Sequence, residues 1–315
     1  MAGGHRVFDT QATEALDELD MLVQPVAVES GDLLFREGDP ADGAWLIDAG
    51  TAQLTMGIPG RADVLIATVG PGDLLGERAL MHASRRSLAA RATTAVRARF
   101  IDRRDFRGLL VGLRPASFRL LQRVALSTAN DLAEALEMAA ATSRPSPPCA
   151  GEVAGQRSPC GFDPRPFLAA LPFFAELSPR DADALLAAGT TCSMRRGQTV
   201  VSAGCESSSV WVVLRGAVEV VPPGGSRRSS LLGPGHAVGV HPLLLGLPAP
   251  SDVRVREDAA LVEYTGDVLA GLLAGHTRES FKFLDCLTRD LLRSLDRANR
   301  GVARGVLSQS LGQDE

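Results

Sequence analysis

Lysine is almost missing from this chain of 315 residues: Lys282 is the single example, and every other fixed side-chain cation is an arginine. Acids outnumber Lys plus Arg by 37 to 33, a formal net charge of -4. That balance offers no general attraction to nucleic acid or to an acidic membrane surface. Long apolar runs are also missing, since nothing approaches the roughly 18 residues of a membrane span. The start, Met1-Ala-Gly-Gly-His-Arg6, lacks the apolar core of a signal peptide, so a cytoplasmic protein is expected. Cysteine is scarce and odd in number, five in all. Cys192, Cys205 and Cys286 lack metal-ligand spacing, and Cys149 with Cys160 offers at most a redox pair, so no disulfide framework is expected. There is no Walker motif, metal triad or nucleophile-base pattern, which speaks against catalysis. The Ala, Gly and Arg richness reads as GC-rich bacterial coding.

What is present is organised twice over. At 45% hydrophobic content the chain can bury two cores of ordinary size. Gly31, Gly38, Trp45 and Gly50 return 166 residues later as Gly197, Gly204, Trp211 and Gly216. Gly70-Pro71-Gly72 and Gly76 return 163 residues later as Gly233-Pro234-Gly235 and Gly239. A constant offset that changes once, by three residues, means two copies of one fold with a shorter hairpin in the second.

Between Gly72 and Ser87 the first copy carries a glycine turn, an acid and an arginine at separations suited to a sugar phosphate. Gly76 permits a tight turn, and Glu77-Arg78-Ala79-Leu80 reads as one helical turn whose amides face an anion. Arg86 can reach the same anion with a two-pronged contact, while Arg85 reads as its solvated neighbour unless a one-residue slip of the loop exchanges the two, and His82 reads as exposed.

This stretch resembles the phosphate-binding cassette of the cyclic nucleotide-binding domain family, the module shared by catabolite activator protein and the regulatory subunits of cyclic-AMP-dependent protein kinase. Gly31–Asp42, Trp45–Gly50, Asp105-Phe106 and the helical run after Pro115 extend the resemblance. It implies a mainly β fold with flanking helices: two tandem β-rolls, jelly-roll-like, each followed by a C-terminal helix. It implies further that Glu77 accepts from a ribose hydroxyl, while Arg86 and Ser87 hold the cyclic phosphate beside amides near Ala79 and Leu80. The alternative for Glu77 and Arg86 is a buried salt bridge between them. On the helix after the roll, Ser127, Thr128, Asn130 and Asp131 are either base-recognition groups or ordinary surface polarity. Cyclic AMP is the expected ligand, with cyclic GMP and cyclic di-GMP left open.

In the second copy Glu77, Arg86 and Ser87 correspond to Val240, Ala249 and Pro250, an apolar loop that cannot repay the desolvation of a phosphate. His236 and His241 have no third ligand beside them, so no metal is expected. The expected organisation is a first domain over 1–142, a proline-rich linker over 143–162, a degenerate second domain over 163–305 and a tail over 306–315. Helices are expected from Pro115 to Ala140 and along Leu284, Leu287, Leu291, Leu295, Ala298 and Val302. These pair as a coiled coil in a homodimer or dock on their own rolls. No winged helix-turn-helix follows either roll, so no DNA binding is expected. The resulting expectation is a non-enzymatic receptor acting on an unidentified protein partner. Its rivals are a ligand-free homodimeric adaptor and the regulatory subunit of a separate enzyme.

Overall fold

The computed structural model describes residues 23–57, 63–81, 84–140, 157–222, 229–274 and 277–311. Residues 141–156, most of the expected linker, lie outside them, as does His82. The chain divides into two compact units, Gln11–Val124 and one built on Ala125–Glu315.

The first unit is assembled from short strands: β1 (Val23–Val28), β2 (Leu33–Phe35), β3 (Pro40–Ala41), β4 (Gly43–Ala49), β5 (Ala52–Met56), β6 (Val64–Val69) and β7 (Leu74–Leu75). A single helical turn, α1 (Arg78–Met81), leads to β8 (Ser84–Arg85), β9 (Ala89–Ala92) and β10 (Val96–Asp102). Two four-stranded antiparallel sheets result, ordered β1-β10-β4-β7 and β2-β9-β5-β6, with β3 paired to β8. The Asp102 side chain accepts from the Arg104 N–H at 2.7 Å and so caps α2 (Arg103–Val111). After a turn in which Leu113 takes a left-handed φ of 52°, α3 runs from Pro115 to Ala140. That helix was legible to the residue, and the division between the units falls inside it.

The second unit begins with β11 (Ser158–Pro159), a 3-10 turn (Arg165–Ala170) and α4 (Pro179–Ala188), whose start is fixed by the Ser178 cap and a proline at the first position. There follow β12 (Thr190–Met194), β13 (Thr199–Val201), β14 (Ser209–Val221), β15 (Ser230–Leu232), β16 (Ala237–Val238), α5 (Val240–Leu245), β17 (Asp252–Thr265), α6 (Gly266–Ala274) and α7 (Arg278–Leu311). Its strands form one sheet ordered β11-β12-β17-β14-β15, with β13 and β16 joined to β17 and β14.

The duplication is visible bond by bond. Gly72 N–H donates to Ile47 O, and Gly235 N–H to Val213 O. Gly31 N–H donates to Ala92 O, and Gly197 N–H to Val255 O. Gly50 and Gly216 close equivalent turns at φ of 85° and 77°, and a Cβ on either would lie 2.1 or 2.3 Å from a backbone carbonyl oxygen. No other residue type fits there.

The cores differ in kind. The first roll is filled around Ile47, Ala52, Ala92, Val96 and Ala98, with a second cluster of Phe35, Leu75 and Ala90. The second has one continuous core that joins Met194, Trp211, Val213, Val218, Val253, Val255 and Leu261. Larger side chains exclude more apolar surface from water, and the second core contributes more of them among the described residues.

α7 settles between the two fates open to its leucines. Leu284, Leu287, Leu291 and Leu295 are at most 3% exposed within the single chain. Phe283 packs on Tyr264 and Phe173, and Arg278 grips Asp181 of α4 through two hydrogen bonds of 2.6 and 2.9 Å. Further along, Asp290 accepts from the Ala237 N–H and Arg293 donates to Pro172 O. The helix is docked on its own roll.

Candidate functional site

Arg86 is the centre of the first cassette. It follows β8, and its backbone is pinned by two 2.8 Å bonds, from its N–H to Asp39 O and from the Gly38 N–H to its carbonyl. Its neighbour Arg85 is exposed and donates to Gly38 O at 2.8 Å, as expected when consecutive extended residues face opposite ways. The Arg86 side chain is only 4% exposed. Its carbon lies 4.7 Å from the Phe35 ring centre and 4.6 Å from that of Trp45, which stacks on Phe35 and packs against Phe100. One terminal nitrogen donates to Gly43 O at 2.8 Å and to Asp42 at 3.2 Å. The Nε–H is buried and has no acceptor among the described residues. Burial pulls the guanidinium below its ordinary pKa, while the fields of Asp42, Asp39 and Glu77 oppose that pull.

A buried guanidinium with an unused donor is costly, about 1–3 kcal/mol for the donor alone, and a packing role would not select it. An anion that enters from outside would use it. Gly76 makes the approach possible: at φ 77°, a Cβ there would stand 2.5 Å from the guanidinium.

Glu77 is buried beside this group, and Ala79 and Leu80 are buried at 1% and 0% exposure. The last two anchor α1, and their N–H groups donate to Gly76 O and Glu77 O at 3.0 Å. Those two amides are thus engaged within the turn. Ser87 is exposed next to Arg86. Gly76, Glu77, Arg78, Ala79, Leu80, Arg86 and Ser87 all belong to the first unit, whereas Asn130 and Asp131 are exposed on α3 beyond Val124. An open groove of about 690 Å³ lies along Val28, Phe35, Asp39 and Arg91, but none of Gly76, Glu77, Arg86 and Ser87 lines it.

The second cassette has the same backbone and none of the chemistry. Ala249 N–H donates to Cys205 O and Gly204 N–H to Ala249 O, both at 2.8 Å, so Ala249 stands where Arg86 does. Val240, Leu243, Leu244 and Ala249 are buried. His241 is held neutral by burial, with its pKa lowered to about 4. Among the described residues no group of three His, Cys, Asp or Glu side chains could hold a metal.

A family model for the cyclic nucleotide-binding domain matches twice, at residues 25–111 and 191–276, more than half of the chain. The chain belongs to the cyclic nucleotide-binding domain family. Among curated proteins it is 29% identical over 131 residues to a CRP-like cAMP-activated global transcriptional regulator of Mycobacterium tuberculosis. The match spans 41% of this chain and 58% of that relative's length. Among solved structures, the N-terminal domain of a transcriptional regulator from Streptomyces coelicolor A3(2) is 30% identical, at TM-score 0.34, over 38% of this chain and 86% of that one. The regulatory domain of Toxoplasma gondii PKA with cAMP is 16% identical, at TM-score 0.31, over 85% and 88%.

The two cyclic nucleotide-binding domains also differ where sequence reasoning did not look. In the first, Trp45 faces Phe100 across β4 and β10. In the second, Trp211 faces Glu263 across β14 and β17. Glu263, 5% exposed, accepts from Ser209 at 2.9 Å and from Arg157 at 2.6 Å, and the Arg157 guanidinium lies 4.8 Å from the Trp211 ring centre. Ser209 replaces Gly43, where a Cβ would come within 2.6 Å of the Phe100 ring. The signal for this change was one acid in the apolar run Ala259-Ala-Leu-Val-Glu263. Cys160, Cys192 and Cys286 are free thiols, with Cys192 pushed up to about 11 by burial, while Cys205 is disulfide-bonded. That bond was not expected from the sequence.

Proposed function

We propose that this protein is a non-enzymatic receptor for one cyclic mononucleotide, cyclic AMP by preference, that signals through a protein partner. The observation that carries it is the buried Arg86 with its unused Nε–H, set against Ala249 at the same backbone position. The cyclic phosphate takes charge-assisted bonds from Arg86 and a hydroxyl contact from Ser87, and Glu77 accepts from the ribose hydroxyl. Arg78, Ala79 and Leu80 shape the turn beneath it. The second domain, with its continuous core and docked α7, is structural, and residues 143–162 link the two.

The protein works in solution, without DNA or membrane binding and without a metal. Among the described residues no helix is long and apolar enough to cross a membrane. A homodimer, if formed, uses surfaces other than the α7 leucines, which the chain itself buries.

Calorimetry on the full chain with cyclic AMP, cyclic GMP and cyclic di-GMP tests the proposal. One site per chain, strongest for cyclic AMP and lost in Arg86→Ala, is expected; no binding, or two sites, overturns it.

A further inference from the structure

The two rolls differ at the edge of one sheet. Among the described residues the first roll's sheet ends at β1, whereas its counterpart in the second roll carries one strand more, with β11 outside β12. Two pairs make that join, Ser158 with Ser193 and Pro159 with Cys192, and a proline donates nothing to a ladder. The backbone alone holds the added strand weakly. Strand alternation puts Arg157 and Pro159 on the sheet face of Cys192, Leu261, Glu263 and Trp211, the face that the core occupies. Arg157 reaches across that face, 2.6 Å from Glu263 and with its guanidinium carbon 4.8 Å from the Trp211 ring centre. The arginine is 43% exposed and the acid 5%, so the cation arrives from solvent at an anion the roll already owns.

An arginine over this tryptophan is common to both rolls. In the first it is Arg86 over Trp45, at 4.6 Å. The second cassette has Ala249 instead, its cation comes from outside the roll, and the acid that receives it stands where the first roll has Phe100. The polarity of the position is reversed.

We propose that the second roll is a receptor for a guanidinium group, and that its resident ligand is Arg157 of the chain's own linker. Glu263, steadied by Ser209 at 2.9 Å, and the Trp211 ring form the site. A planar, delocalised cation can give one nitrogen to the carboxylate while lying against the indole, which a compact and strongly hydrated ammonium cannot do. The buried carboxylate refuses a phosphate. With the site filled, residues 157–162 are fastened to the roll as a strap, which Arg215 extends by lying 5.5 Å from the Phe162 ring centre. With it empty, the strap keeps the two-residue join and the contacts of Phe162 with Arg215 and Phe167. No cyclic nucleotide takes part, so the inference stands apart from the receptor proposal for the first roll.

Hydrogen exchange followed by mass spectrometry on the full chain tests it. In Arg157→Ala the amides of residues 158–162 should exchange about tenfold faster or more, while β14 and β17 keep their protection. Arg157→Lys should recover little of the loss. Ethylguanidinium should bind Arg157→Ala one to one, seen as a saturable shift of the Trp211 indole signal in NMR, and should leave the parent unchanged because its site is filled; ethylammonium should bind neither. Unchanged exchange in Arg157→Ala, a lysine that restores the parent, or equal behaviour of the two cations overturns the proposal. Loosening that spreads through β14 and β17 would mark an ordinary structural ion pair and overturns it as well. If Arg157→Ala does not fold, Glu263→Gln supplies the reading, since it can keep the Ser209 bond and loses the charge: local loosening of residues 158–162 is expected, and full protection there overturns the proposal.

Discussion

Asp42 holds the buried guanidinium of Arg86 from the solvent side: their atoms are 3.2 Å apart, yet the side chains are 66% and 4% exposed. The acid is therefore a competitor for whatever anion Arg86 serves. Asp42→Asn should tighten cyclic AMP binding severalfold, on the order of fivefold, because the ligand no longer displaces a partly screened pair. Arg86→Ala should weaken it about a hundredfold or more by removing two charge-assisted bonds. Isothermal calorimetry on both variants checks the pair of effects, and weaker binding by Asp42→Asn would show that the acid supports the ligand.

Ala249→Arg should not create a second site. Its backbone matches that of Arg86, but Val240 stands where Glu77 does and Ser208 where Asp42 does, so no acid accompanies the new charge in that buried cassette. The new charge should cost on the order of 3 kcal/mol of stability. Urea unfolding should show the loss, and calorimetric stoichiometry should stay at one.

Asp181 gives the second unit a defined acid sensitivity. Its hydrogen bonds with Arg278 lower its pKa from 3.8 to about 2 against the opposing pull of burial. A carboxyl held below its unfolded value stabilises the fold above that value and loses the contribution as pH falls from about 4 toward about 2. Solvent around the exposed Arg278 screens the pair and trims the contribution. Denaturation midpoints at pH 5 and pH 2 should differ less in Asp181→Asn than in the parent.

Leu291 tests the fate of the leucine face. It is 2% exposed within one chain, so Leu291→Asp should destabilise the fold by at least about 3 kcal/mol. A folded variant that merely changes from dimer to monomer mass in light scattering would restore the coiled-coil interpretation.

Much of this molecule was legible because its signals are local. Glycine turns recur at fixed offsets, and Gly76, Glu77 and Arg86 lie within eleven residues of one another. Which of Arg85 and Arg86 faces inward was open to a one-residue slip of the loop, and only the folded strand decides it. The leucines of α7 were visible, but a helix period is the same whether the covering surface belongs to the same chain or to another. Asp42 was hidden in the loop Gly38-Asp-Pro-Ala-Asp42, where acids are common for turn reasons. Arg157 and Glu263 were out of reach for a different reason: 106 residues separate them, and only the folded sheet brings them together.

The exchange of Gly43 and Phe100 for Ser209 and Glu263 has a consequence for any attempt to restore a site in the second roll. A serine at Gly43 would put its Cβ 2.2 Å from the Ile101 carbonyl oxygen and 2.6 Å from the Phe100 ring, so the first roll has room only for glycine there. In the second roll the buried Glu263 has two donors, Ser209 and Arg157, and the Arg157 guanidinium lies over Trp211. A graft of cassette residues alone would leave this polar cluster in place, and with it an interior that the first roll does not have.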